Sequence, residues 1–309
     1  MAALAGAPTV FPPTVVPHRL SLRDNEILHA LGTYQVVTAV QLATLLFKPS
    51  ILTYVRQKLR ALVAAGYVDT DFLPRTSRLG SSPLLYLLGR KGVAVLHAQG
   101  LAVPRYRPPE ERGHSLLWNP HAVALSDVLL SLTRLVQTDP SIELAELRHE
   151  RLLTHTPVHL TSESGATATS VRPDAWVDLW LTQGSRRQRM CLALELDRGT
   201  EHHTAWRRKV RALLGWACGP YQEHYETQSL TIPVVTTAGE RRCRDLRAWT
   251  RAELEASGLA GEVSCATLFV FTHRSAATTS PRDFWQAPIW SVPGRATPMG
   301  LLAEEVFAS

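Results

Sequence analysis

Glu195 and Asp197 close the apolar run Cys191-Leu192-Ala193-Leu194-Glu195-Leu196-Asp197. Strand side chains alternate with period two, so both carboxylates stand on one face of a strand end. Gly199 and Thr200 follow as strand breaker and helix cap, which turns the chain back over its own acidic strand end. Upstream, Arg172 to Leu181 reads as a second strand with Asp174, Trp176, Asp178 and Trp180 on one face and Ala175, Val177, Leu179 and Leu181 on the other. Pro173 lacks a backbone donor, which sets Asp174 at the strand entry. Antiparallel pairing of the two strands then brings Asp174 to Glu195 and Asp197. Three carboxylates so arranged repel unless a cation or a basic side chain neutralises them. The basic candidate is Lys209, one of only four lysines with Lys48, Lys58 and Lys91. On a helix from Thr200 to Ala217, Trp206, Val210, Leu213 and Ala217 form the core stripe, with Lys209 about 60° to one side. A long side chain at the stripe's edge can lie along the sheet and deliver its ammonium to the strand ends.

These residues need a scaffold, and 309 residues at 45% apolar composition suffice for about two domains. No apolar run reaches the roughly 18–20 residues of a membrane-spanning helix. Residues 1–18 lack the basic region of a signal peptide and are cut by Pro8, Pro12, Pro13 and Pro17, the pattern of a mobile arm in a cytoplasmic protein. Cys191, Cys218, Cys243 and Cys265 are too widely spread for a zinc site and read as free thiols. The net charge of +6 is localised: residues 19–100 carry ten Lys/Arg against four acids, and the remainder carries 23 of each sign. A polyanion is therefore drawn to the first third of the chain.

That third, residues 19–103, has the order of a winged helix-turn-helix. Ser21 caps a helix with Ile27, Leu28 and Leu31, and Thr38 opens a second with Val40, Leu42, Leu45 and Leu46. A third, from Ser50 to Gly66, has Ile51, Val55, Leu59, Leu62 and Val63 at helical spacing, leaving Arg56, Lys58 and Arg60 on other faces. Strands at 67–72 and 84–88 flank a turn-rich tip with Arg75 and Arg78, and a helix from Arg90 to Gln99 closes the unit. The expected partner is double-stranded DNA, with the third helix in the major groove and Arg75 and Arg78 on the wing. A winged helix used for protein contacts is the other reading of the same pattern.

Residues 104–113 are rich in proline and charge and read as a linker. Between 114 and 274, helices and strands interleave: helix 121–136, strands 142–148, 171–181 and 188–197, helix 200–217, strand 230–236, helix 242–257 and strand 267–272. The economical arrangement is an α/β sandwich around a mixed sheet. Asp127 in the first of these helices faces either solvent or the acidic cluster. Adjacent His202 and His203 diverge by about 100° and suit a solvated helix start, not a chelate. The Ser-, Thr- and Pro-rich tail, 275–309, reads as irregular chain with one or both of Trp285 and Trp290 docked on the body. No GxxxxGK[ST], GxGxxG or GxSxG occurs, so nothing suggests a nucleotide cofactor or a serine nucleophile.

Pro173-Asp174, Glu195-Leu196-Asp197 and a lysine on the next helix resemble the PD-(D/E)XK nuclease superfamily, a restriction-endonuclease-like fold. The last motif position of that superfamily is usually lysine; here it is Asp197, and Lys209 lies on the following helix. Taken with the winged helix and the stretch Glu195-Leu196-Asp197-Arg198-Gly199-Thr200-Glu201, the chain more specifically resembles the replication-relaxation family of plasmid and mobile-element proteins, over residues from about 20 to 250. The resemblance implies a DNA-binding protein that nicks or cuts DNA with Mg²⁺ or Mn²⁺. Asp174 and Glu195, with a carbonyl near Leu196, would hold the ion, and Lys209 would position water or stabilise developing charge. Asp197 would add a ligand, or pair with Lys209 or Arg198. Two non-catalytic readings stand beside it. In one, the four residues are a structural ion-pair network in a regulator of replication or transcription, whose second domain serves dimerisation or partner contacts. In the other, the chain is a protein adaptor and neither domain touches DNA.

Overall fold

The computed structural model describes residues 19–47, 49–73, 83–112, 118–153, 158–160, 169–258 and 267–303. The arm at 1–18, Lys48, Cys265 and the hairpin tip with Arg75 and Arg78 lie outside the described residues.

Local capping chemistry sets the first elements. Ser21 and Asp24 form a reciprocal capping box at the start of α1 (Leu22–Tyr34), and Thr38 and Gln41 form another after β1 (Val37–Thr38) at the start of α2 (Ala39–Leu46). A 3₁₀ turn at Pro49–Ile51 leads into α3 (Leu52–Ala64). β2 (Val68–Phe72) and β3 (Leu84–Leu88) pair antiparallel, β1 adds to the other edge of β3, and α4 (Arg90–Ala98) follows. Gly92 is required where α4 crosses β2, since a Cβ there would sit 2.3 Å from the Tyr67 carbonyl oxygen.

After α5 (Pro109–Arg112), α6 (Trp118–Thr138) is the wall between this unit and the large sheet. Ser126 Oγ donates to the Val36 carbonyl at 2.6 Å, Tyr34 Oη to Thr133 Oγ1 at 2.7 Å, and Gln41 Nε2 to Asp127 Oδ1 at 2.7 Å. Asp127 thus faces the first unit, neither solvent nor the acidic strand ends, and burial raises its carboxyl. The stretch read as a linker is packed near its start: Tyr106 lies against the core and its Oη donates to Asp69 Oδ2 at 3.1 Å. One apolar cluster runs from α1 and α3 through Leu125, Leu129 and Leu132 of α6 to the near face of the large sheet.

The sheet is mixed, in the order β10-β9-β8-β7-β4. β4 (Ile142–His149) is followed by α7 (Glu150–Leu153), then by the small hairpin of β5 (Val158–Leu160) and β6 (Thr169–Val171). β7 (Ala175–Gln183) and β8 (Arg186–Asp197) complete an antiparallel meander with β4. The single strand expected over 171–181 is therefore two, because Pro173 interrupts the ladder between Val171 and Ala175. α8 (His203–Ala217), α9 (Pro220–Tyr225), β9 (Ile232–Thr236), α10 (Gly239–Ala256) and β10 (Phe269–Thr272) add two strands parallel to β8. Thr200 does not cap α8; Gly199, at φ 77°, carries the chain past it, and His202 occupies the cap position without a side-chain bond.

Alternation divides the sheet as its pattern demands. Ala175, Val177, Leu179, Leu192, Leu194 and Leu196 face α6, while Trp176, Cys191 and Ala193 face α8 and α10. The tail is more regular than its composition suggests, with α11 (Pro281–Gln286) and Trp285 stacked on Trp290 at 5.7 Å between ring centroids, both fully buried. Trp290 Nε1 donates to the Phe284 carbonyl at 2.7 Å, so its one polar atom is satisfied. Among the described residues, no helix is long and apolar enough to cross a membrane. Trp290→Ala should cost about 3–5 kcal/mol, the range for emptying a buried aromatic site, read as a lowered denaturant midpoint; a loss below about 1 kcal/mol would mean that the tail is not part of the core.

Candidate functional site

β7 and β8 pair with Ala175 opposite Leu194, which puts Asp174 and Glu195 across from each other at the strand ends. The Asp174 N–H donates to the Leu194 carbonyl at 2.9 Å, and the Leu196 N–H returns a bond to Asp174 Oδ2 at 2.7 Å. From the first turns of α6, His121 Nε2 lies 3.2 Å from Asp174 Oδ1. Lys209 of α8 comes down on Glu195 Oε2 as an ion pair and lies 3.6 Å from Glu201 Oε1. Glu195 Oε1 and Glu201 Oε2 are buried without a hydrogen bond to a described residue. Side-chain exposures of 1% for Glu195, 14% for Asp174 and 29% for Lys209 describe a site closed over its acidic floor.

The electrostatics follow. Burial pushes the Glu195 carboxyl up to about 8, against the pull of the Lys209 ammonium, with Asp174 and Glu201 adding to the rise. Burial also works against charge on Lys209, but the Glu195, Asp174 and Glu201 carboxylates outweigh it and hold the ammonium above the usual lysine range. Asp174 is buried too, yet His121, Lys209 and the Leu196 N–H together hold it below the ordinary aspartate value. His121 loses charge affinity through burial and regains more from Asp174, ending above the usual histidine range.

Asp197 belongs to a separate constellation. Arg242, near the start of α10, grips it with two bonds, Nε to Oδ2 at 3.0 Å and Nη2 to Oδ1 at 2.8 Å. Thr236 Oγ1 and the Gly199 N–H donate to Oδ2 as well, at 2.7 and 3.1 Å. Arg242 Nη2 also reaches the Glu201 carbonyl at 2.7 Å, tying the α8 approach to α10. Asp197 is thus the anchor of a bidentate arginine pair, the strong form of such contacts.

As arranged, these residues do not fit a divalent cation. Both Asp174 oxygens carry a donor, Glu195 holds the lysine, and a hard ion such as Mg²⁺ requires several open oxygen ligands. Among the described residues no group of three or more His, Cys, Asp or Glu side chains gathers as a metal site.

The basic residues singled out in the first unit separate into two roles. Val55, Leu59 and Leu62 anchor α3 in the core, while Thr53, Arg56, Gln57, Arg60, Ala61 and Ala64 form an exposed stripe at i, i+3, i+4 spacing. Lys58 turns the other way, to 3.2 Å from the buried Asp24 Oδ1, and ties α3 to the cap of α1.

The model of the family described as replication-relaxation matches residues 28–228, more than half of the chain. The chain belongs to the replication-relaxation family. No curated protein and no solved structure matches it. In this replication-relaxation chain the matched stretch contains α3, Asp174, Glu195, Asp197 and Lys209, and it ends before Arg242.

Sequence pattern brought Asp174, Glu195 and Lys209 to one place, and the structure joins them. It missed His121 and Arg242. His121 precedes the apolar series of its helix and carries no local signal. Arg242 is one of several arginines on α10, and only the β8–β9 register, with Asp197 opposite Thr236, singles it out. Removing one partner of a buried pair strands the other charge, so Arg242→Ala should cost about 3–5 kcal/mol in thermal unfolding, and Asp197→Asn in the same chain should recover part of that loss. His121 binds its proton more tightly folded than unfolded because it faces the Asp174 carboxylate, so stability should fall as pH rises above about 6.5. His121→Asn should flatten that fall; a wild-type stability that rises above this pH would contradict a His121 held charged by Asp174.

Proposed function

We propose that this replication-relaxation protein binds double-stranded DNA through α3 and regulates replication or transcription of the DNA it occupies, with a nuclease-like second unit whose acidic site is a structural network. The observation that carries this reading is the outward stripe of α3, where Thr53, Arg56, Gln57 and Arg60 are exposed and make no hydrogen bond or ion pair with a described residue. Three helices, an antiparallel hairpin and a closing helix are the order of a winged helix, whose third helix enters the major groove. Arginine there contacts phosphates or guanine edges, and glutamine pairs with adenine. Lys58 is left out of the DNA-binding set because it is spent on Asp24, and Arg75 and Arg78 remain wing residues of the proposal. A symmetric DNA site would require a homodimer.

A metal-dependent endonuclease is the second reading, and one observation favours it. The α6-β4-β7-β8-α8-β9 order with Asp174 opposite Glu195 at the strand ends, and Lys209 on the next helix, is the arrangement expected of a PD-(D/E)XK core. Against it stands the pairing already made: Lys209 occupies Glu195 and His121 occupies Asp174, so the chain itself supplies the positive charge that a cation would bring.

Arg56→Gln with Arg60→Gln should weaken duplex binding by one to two orders of magnitude near 0.1 M salt and flatten the salt slope by about 2, since each lost phosphate contact removes about 0.9. Unchanged affinity and slope would place the DNA surface elsewhere. For the second unit, titration with Mg²⁺ and Mn²⁺ followed by plasmid nicking should show neither binding nor cleavage. Metal binding and nicking that vanish together in Asp174→Ala would establish the nuclease reading instead.

A further inference from the structure

α8 and α10 form a second basic surface that the overall charge count conceals. α8 carries Arg207, Arg208, Lys209 and Arg211 with no acid, and α10 carries Arg241, Arg242, Arg244, Arg247 and Arg251 against Glu240, Asp245, Glu253 and Glu255. The helices lie side by side and parallel: His203 meets Trp249, Trp206 Nε1 donates to Thr250 Oγ1 at 2.9 Å, and Arg207 and Arg211 both reach the buried Glu253. Several arginines have internal tasks, Arg242 on Asp197 and Arg251 on Glu255 among them. Arg208, Arg241 and Arg244 do not. All three are exposed and make no hydrogen bond or ion pair with a described residue. Arg241 and Arg244 stand in the first turns of α10, where the positive end of the helix dipole disfavours cations. Exposed like charges at that helix end are an electrostatic cost that an external polyanion would relieve.

We propose that this arginine layer is a second phosphate-binding surface, which holds a duplex DNA segment other than the one on α3. The inference rests on the reading of the chain as a DNA-binding protein. The layers of the fold separate the two surfaces. The first unit and α6 cover one face of the sheet, and α8 and α10 cover the other. With each layer adding about 10 Å, a straight duplex lying on α3 does not reach the far side. The α8–α10 surface offers guanidinium groups suited to phosphate oxygens. Its contacts are therefore to the backbone and independent of sequence.

The test is the stoichiometry of the full chain with a duplex of about 12 base pairs, roughly one helical turn, by sedimentation and by calorimetry at low salt. Wild type should bind two duplexes per chain. Arg208→Gln/Arg241→Gln/Arg244→Gln should bind one, with the total salt slope reduced by about 2–3 and an unchanged melting temperature, because none of the three side chains holds the fold together. Arg56→Gln/Arg60→Gln should also lose one duplex, and the five-fold variant should lose both. One duplex on wild type, kept at full affinity and slope by the triple variant, would overturn the second surface and leave the α3 reading intact. One duplex kept by the α3 variant and lost by the triple variant would uphold the second surface and overturn the α3 reading. No salt-dependent binding by wild type would overturn both.

Discussion

Two carboxylates facing each other across adjacent strands, on the buried side of a sheet, are the constraint around which the second unit is built. Asp174 and Glu195 are fixed in opposition by the β7–β8 register, and backbone pairing leaves neither free to turn away. Their repulsion in a region of low polarity has to be met by positive charge from elsewhere in the chain. Lys209 arrives from α8 and His121 from α6, so both faces of the sheet contribute a cation to one edge. The helices are thereby held at the strand ends by charge and along the strands by apolar contact. Arg242 does for Asp197 what Lys209 does for Glu195, and it binds α10 to the same edge.

Regular burial made much of this legible. Alternation in 172–181 and 191–197 separated the two faces of the sheet, and the i, i+3, i+4 pattern placed Lys209 beside the core stripe of its helix. Ser21 and Thr38 announced their helices because a capping box is local chemistry that three or four residues can specify. Legibility ended where a partner is distant in sequence. Asp127 bonds to Gln41 across 86 positions and Tyr34 to Thr133 across 99, and no periodicity encodes such a pairing. Composition misled over the stretch after Pro104. It is rich in loop-forming residues, yet Tyr106 is packed because a neighbouring apolar face was there to receive it, whereas Trp285 and Trp290 of the tail are docked as expected.

The basic residues show how little a charge count says without geometry. Arg56, Lys58 and Arg60 lie within five positions of one another, but Lys58 faces the cap of α1 while the two arginines face solvent. From 101 to 309, 23 positive and 23 negative residues cancel in the sum, although α8, over the acidic strand ends, carries four cations and no acid. Charge organised by layer creates a local field that the total does not reveal.

The shared wall at α6 has a consequence for how the two units relate. Ser126, Asp127 and Thr133 hold the first unit, while apolar residues of the same helix, Leu125, Leu129 and Leu132, belong to the core that reaches the sheet. A flexible tether would let α3 sample many bearings relative to the strands. A common helix instead acts as a keyed shaft: the heading of α3 is inherited from the sheet, and any torque on one is felt by the other without a hinge to absorb it.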